Sequence, residues 1–143
     1  TFGEFFPNPG GEPLTPELRV RMSLVRAFFA EVVGTAVLLL VICGLGDAKN
    51  SARPIELKAS LIGLTVTVLI SLLGPLTMAC FNPARDWAPR FFSALAGWGS
   101  VPFTTNGSGW WLVYGVAPLL GAVLGAGCYH RVLRPALSAA SPG

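Results

Sequence analysis

Charge is what this sequence has least of. Aspartate, glutamate, lysine and arginine together make up 12% of its 143 residues, about half the roughly 25% of an ordinary soluble domain. Too few charged groups are present to clothe a water-soluble globule, while 52% of the chain is hydrophobic. The expected solvent for much of its surface is lipid. A net charge of +3 could suit a polyanion, but the basic residues are scattered and mostly flank apolar runs, so no nucleic-acid partner is expected.

Histidine is nearly absent. The single copy, His130, sits beside Arg131 at an expected helix end, where a cation suits the dipole. Cys43 and Cys128 lie inside apolar segments and Cys80 in a short linker, which makes neither a CxxC pair nor a metal-ligand spacing. They read as small apolar residues, and no metal or cofactor is expected. An intramembrane enzyme would need convergent nucleophiles, acids or metal ligands, so no enzymatic activity is expected either. Residues 1–23 are polar and rich in Pro and Gly, without the short apolar stretch of a secretory leader. The chain reads as a segment of something longer.

Three stretches are long enough to cross a bilayer, which takes about 20 mainly apolar residues. They are 27–46, with Glu31 as its one charge, and 59–76 and 110–129, with none. Ala117, Gly121 and Gly125 recur at i, i+4 and i+8 in the third. Such small residues let a neighbouring helix come close where lipid supplies no hydrophobic drive to pack. An ionisable residue inside a span is costly, about 2.5–3.5 kcal/mol for Asp, Lys or Arg on insertion scales. Glu31 is therefore either a buried, bonded carboxylate or one solvated near the headgroups.

The region 74–99 is too polar and too short for a fourth full span. Gly74-Pro75 is expected to end the preceding helix, because proline cannot continue it and disfavours helical conformation in the residue before it. Asn82-Pro83-Ala84-Arg85-Asp86 then reads as a helix start, with Asn at the N-cap and Pro at the first helical position. The helix is expected to reach about Ala96 and stop at Gly97. About 14 residues at 1.5 Å each span about 21 Å, only part-way across the hydrocarbon layer, so this half-helix needs protein cover or water. Irregular backbone at membrane depth is tolerated only where it is buried or lines an aqueous cavity. The carbonyls of Met78, Ala79, Cys80 and Phe81, taken as extended, are candidates to line that cavity.

Asp86 and Arg90 are spaced as a helical ion pair with the acid first, the favourable order. Arg85 falls in the first turn, where the macrodipole is already positive and folding alone would favour an acid. One reading pairs it with an unseen carboxylate or a lipid phosphate. The other aims it, with the helix N-terminus, into a narrow passage, where it would repel protons and cations and offer donors to neutral solutes, a device of membrane channels.

Gly74-Pro75-Leu76-Thr77, followed by Asn82-Pro83-Ala84-Arg85-Asp86 and Ala96-Gly97-Trp98-Gly99, resembles the second half of the major intrinsic protein family, in particular its glycerol facilitators. Pro7-Asn8-Pro9 looks like the loop that precedes that half, so the resemblance covers nearly the whole chain. It implies an all-α integral membrane fold of three transmembrane helices plus one re-entrant half-helix, one inverted-repeat half of an aquaporin-like channel. Two such halves meet at their Asn-Pro-Ala motifs, and four complete chains form a tetramer with one pore each. The N-terminal half is not in this chain. The resemblance puts Asn82, Pro83 and Ala84 at the pore centre and Arg85 in the selectivity filter, and has Glu31 accept hydrogen bonds from the re-entrant loop.

It also implies a multi-pass topology in the cell membrane. Residues 1–26 and 100–109 would lie outside, 47–58 and 130–143 in the cytoplasm, and 77–99 would form the re-entrant segment. Lys49, Arg53, Lys58, Arg131 and Arg134 then fall inside against Arg19, Arg21 and Arg26 outside, which agrees with the positive-inside rule when the half-helix arginines are set aside.

For solute choice the residues are mixed. Asp86 and Arg90 match the glycerol-type signature, whereas Tyr114-Gly115 fits neither the Pro-Leu of glycerol-type members nor the aromatic-Trp of water-selective ones. Ile70 stands where water-selective members place a histidine, and Ala79 where a glycerol facilitator places an aromatic ring. A filter of Ile70, Ala79 and Arg85 should be wide and apolar. The function expected is passive passage of glycerol, water and similar small uncharged solutes. The alternatives are a water/urea-type channel or a non-conducting truncated scaffold.

Overall fold

The structure, a computed structural model, describes residues 15–17, 23–50, 54–105 and 107–140. Pro7-Asn8-Pro9, Arg19, Arg21 and Arg53 lie outside the described residues. Every long element described is a helix, and three are long and apolar enough to cross a membrane: Leu24–Gly46, Lys58–Thr77 and Trp111–Leu137. This is an all-α membrane protein.

Helix α1 runs from Leu24 to Gly46. Ser23 caps it by accepting the Arg26 N–H at 3.3 Å, which satisfies one of the amides the first turn leaves free. Helix α2, Lys58–Thr77, follows a short 3-10 turn at Ile55–Leu57. Its Thr65, Thr67 and Ser71 hydroxyls donate to carbonyls four residues back, so the polar atoms of an apolar helix are met internally, as hydrocarbon demands.

Gly74-Pro75 does not end α2. The helix carries Pro75 inside it and continues to Thr77, and Met78 takes the left-handed C-cap with its N–H on the Gly74 carbonyl. Glycine is the reason: the clash that pushes a residue out of the helical region before proline involves its Cβ, and Gly74 has none. The chain leaves the helix three residues later than the dipeptide suggests.

Helix α3, Pro83–Ser93, is capped by Asn82. Its last turn widens through Ala94–Trp98 and closes at Gly97, whose φ of 106° is one that side chains rarely tolerate. A one-turn helix α4, Val101–Thr104, occupies part of the expected 100–109 loop. The third long helix opens with wide turns at Trp111–Val116 and continues as α5, Ala117–Cys128. It passes through a second wide stretch at Tyr129–Leu133 into α6, Arg134–Ala140. His130 is therefore inside a helix, not at its end. Nothing between Cys128 and Arg134 breaks a helix, and the added turns are drawn onto the end of α1. Arg134 Nε lies 2.7 Å from Asp47 Oδ2, and the Tyr129 hydroxyl donates to the same oxygen at 3.2 Å.

The tightest helix pair is α1 with α5. A Cβ added to Gly121 would overlap the Val32 carbonyl, and one added to Gly125 the Ala36 carbonyl, so backbone rides on backbone as small-residue packing allows. Helix α2 is covered on α1's side only in part; Leu64, Val68 and Leu72 point outward.

Two outcomes are expected. Gly125→Leu should cost about 1–3 kcal/mol by overpacking and lower the thermal unfolding midpoint in detergent, whereas Gly127→Leu, whose Cβ meets nothing within 4 Å, should hold or slightly raise it, leucine being the better helix former; equal midpoints in the two variants would mean that α1 and α5 do not touch at Gly125. The Asp47 carboxyl is held below its ordinary range, chiefly by the Lys49 N–H and then by Tyr129 and Arg134. Its contribution is thus present above the unfolded carboxylate pKa and lost as pH falls through the lowered value. An acid titration of unfolding should show this slope in the parent and a flatter one in Asp47→Asn.

Candidate functional site

The chain between α2 and α3 is a short loop, Met78 to Asn82, in an unusual conformation. Met78, Ala79 and Phe81 have φ values of 63°, 52° and 54°, so the segment is folded through left-handed backbone instead of extended. For residues other than glycine each such position costs of order 1–3 kcal/mol and persists only where the surroundings over-determine it.

The surroundings here do so. Glu31, in the middle of α1 and without exposed surface, accepts the Cys80 N–H on Oε1 at 2.9 Å and the Phe81 N–H on Oε2 at 2.6 Å. Charge-assisted bonds of this kind are about twice as strong as neutral ones. The Ala79 N–H donates to Thr77 Oγ1 at 3.2 Å, and the Tyr114 hydroxyl donates to the Thr77 carbonyl at 2.8 Å. The Phe81 ring lies against Gly34, where any Cβ would overlap it, and packs with Leu69 and Ala79. Cys80 packs with Ala27, Val113 and Tyr114.

In a trans peptide the N–H and C=O point opposite ways. The plane that aims Cys80 N–H at Glu31 therefore turns the Ala79 carbonyl away from it, and the next plane does the same to the Cys80 carbonyl. Arg85 meets the first of these: its Nη1 donates to the Ala79 carbonyl at 3.0 Å. Arg85 is exposed, as is Asn82. Asn82 Oδ1 accepts the Ala84 N–H at 2.9 Å, so the amide NH2 is what Asn82 offers outward. Pro83 and Ala84 form the first turn of α3. An outward amide, the positive end of a helix, a guanidinium and loop carbonyls thus stand together.

The remaining candidates are placed differently. Ile70 is 40% exposed on α2, whereas the Ala79 side chain has no accessible surface; what Ala79 presents to Arg85 is its carbonyl. Asp86 and Arg90 are buried and joined by two bonds of 2.8 Å. Arg90 also stacks over the Trp110 ring at 4.6 Å and donates to the Pro102 carbonyl. The pair ties α3 to α4 and to the start of the third long helix. Among the described residues no group of His, Cys, Asp and Glu is placed to hold a metal ion.

Sequence reasoning missed Thr77, Gly34 and the hydroxyl of Tyr114. Only the tyrosine carried a signal, since a buried phenol needs a hydrogen-bond partner.

Comparison with known proteins adds to this geometry. The profile of the family described as "Major intrinsic protein" matches residues 11–129. The chain is 45% identical over 123 residues to the glycerol uptake facilitator protein of Pseudomonas aeruginosa, a match covering 85% of this chain and 44% of that one. It is 41% identical over 112 residues to aquaporin-9 of Homo sapiens, covering 78% and 38%. To the glycerol uptake facilitator protein of Escherichia coli K12 it is 40% identical over 113 residues, covering 78% and 40%. The chain spans about two-fifths of the length of these curated relatives.

Glu31→Gln tests the clamp. A glutamine has one acceptor oxygen for two amides, and stranding a buried donor costs about 1–3 kcal/mol. Hydrogen exchange at Cys80 and Phe81 should speed up roughly ten- to a hundredfold while the α1–α5 contact stays protected; unchanged exchange at both would show that the loop holds itself.

Proposed function

Because the chain belongs to the major intrinsic protein family, we propose that it supplies one half of a passive channel for glycerol, water and similar small uncharged solutes. The observation that carries this reading is the exposed Arg85 held on the Ala79 carbonyl at the N-terminus of an Asn-capped helix. Nucleic acid and cofactors have no part in it.

In this reading α3 is the re-entrant half-helix. Its 11 residues span about 16 Å, far short of the ~30 Å hydrocarbon core, so its N-terminus would sit near mid-membrane. A solute with hydroxyls is both donor and acceptor. The Asn82 amide and the Arg85 guanidinium would donate to it, and the Cys80 carbonyl, turned away from Glu31, would accept. Together they replace the water a neutral solute sheds on entry, while a cation or proton meets the charge of Arg85 and the positive helix end. Asp86 and Arg90 neutralise one another inside the protein and hold α3 in place, away from the passage.

Arg85, the Ala79 carbonyl and Ile70 would form this half's share of the selectivity filter. A second inverted half would complete the pore, with four complete channels as a homotetramer in the cell membrane. The names of the relatives, glycerol uptake facilitators among them, favour glycerol. Ile70 and Ala79 put no polar side chain into the filter, which favours a wide aperture and extends the reading to urea-sized solutes.

Arg85→Val in the complete channel, reconstituted in liposomes, should let protons leak while glycerol still passes. A unit charge about 4 Å from a permeating cation is worth about 4 kcal/mol at an effective dielectric constant of 20, roughly a thousandfold in rate. The helix dipole remains, so the leak should be smaller than this. Intact proton exclusion in a folded, glycerol-permeable variant would put the barrier elsewhere.

A further inference from the structure

The Ala79 carbonyl that receives Arg85 belongs to a residue clamped on both sides. On its C-terminal side the Cys80 N–H is bound to Glu31 at 2.9 Å. On its N-terminal side the Ala79 N–H is bound to Thr77 Oγ1 at 3.2 Å. The second clamp is only as firm as Thr77, the last residue of α2, whose side chain is also bonded to Glu31 and whose backbone needs a hold of its own. The carbonyls that close a helix have no partner within it, and an unmet one in a buried site would pull the chain toward another conformation. Thr77 has no exposed surface, and its carbonyl is met from outside α2 by the Tyr114 hydroxyl at 2.8 Å.

Tyr114 is well placed for this. Its ring is fully buried among Ala27, Cys80 and Val113, so the phenol oxygen is aimed by packing. The neighbouring residue, Gly115, lies so close to α3 that an added Cβ would be 2.8 Å from the Trp87 ring, which seats this stretch of helix directly against the site.

We infer that Tyr114 is a positioning residue for Arg85: its hydroxyl fixes the end of α2 and, through the Thr77–Ala79 segment, the carbonyl that holds the guanidinium. The relay runs Tyr114 Oη to Thr77 O, Thr77 Oγ1 to Ala79 N, and Ala79 O to Arg85 Nη1. It rests on the channel reading above, and it makes a tyrosine outside the loop and outside α3 a determinant of solute selectivity. Glycerol feels a loosened guanidinium more than water does. Its hydroxyls are spaced by a carbon chain and need donors at fixed places, whereas water can turn to follow a donor that moves.

The test is the ratio of glycerol to water flux in vesicles carrying the complete channel. Both fluxes pass through the same molecules, so the ratio is independent of how many are folded. Tyr114→Phe removes one oxygen and keeps the ring; the ratio should fall about two- to tenfold, the effect of one net hydrogen bond. Thr77→Val should shift it the same way and Thr77→Ser should restore it. In an Arg85→Val background, Tyr114→Phe should change nothing further, because the residue through which it acts is gone. An unchanged ratio in Tyr114→Phe overturns the inference, as does loss of both fluxes together, which would make the hydroxyl a fold-holding group only. Failure of the channel reading looks different: the parent itself would then pass neither glycerol nor water faster than vesicles without protein.

Discussion

Glu31 presents two oxygens to two consecutive amides from the middle of an apolar helix, and much of the molecule is arranged around that contact. A carboxylate at that depth is tolerated where it is fully bonded. The loop before α3 has unmet amides because its backbone is bent into left-handed conformations. Each unfavourable element supplies what the other lacks. The carboxylate needs donors in a place without water, and the loop needs an acceptor strong enough to hold three positions with positive φ. Apart, each is a liability of a few kcal/mol.

The contact also dictates where bulk may not be. For the carboxylate to reach the loop, α1 must lie close to it, so the residue facing the Phe81 ring is Gly34. On its other side α1 must lie close to α5, where Gly121 and Gly125 let backbone meet backbone. The glycines of the two helices therefore serve one geometry: α1 is held between the loop and α5, with no side chain to act as a spacer. The Asp86–Arg90 pair does comparable work for α3. It joins the half of that helix away from Asn82 to Trp110 and Pro102, so α3 is fixed at one end by a loop and at the other by an ion pair.

Much of the architecture was legible because apolar length and small-residue spacing are local signals. The three long helices, the N-cap at Asn82 and the close approach at Gly121 and Gly125 follow from side-chain chemistry within a few residues. What escaped depends on distant partners. Helix α2 passes Pro75 because Gly74 has no Cβ to clash with it, and the end it then reaches at Thr77 is met by a hydroxyl from another helix. The extension past Tyr129 is set by Asp47, at the far end of another helix. Ala79 was placed in the filter by its position in the chain, but with its side chain buried it meets Arg85 through its carbonyl, and that carbonyl's direction comes from Glu31 and Thr77. Local pattern reaches the N-cap at Asn82; it does not reach the hydrogen bond that aims Arg85.

The Glu31 contact also has a consequence for how the chain is made. Its two partners lie 49 and 50 residues downstream. A ribosome adding about 5–20 residues per second takes about 3–10 s to cover that interval. Glu31 emerges while the amides that will bind it have yet to be synthesised. During that time the carboxyl must be protonated, wetted or sheltered by the insertion machinery. Final seating of α1 in the bilayer therefore waits on a segment that is still being translated, and the order of assembly is written into the separation of two hydrogen-bonded residues.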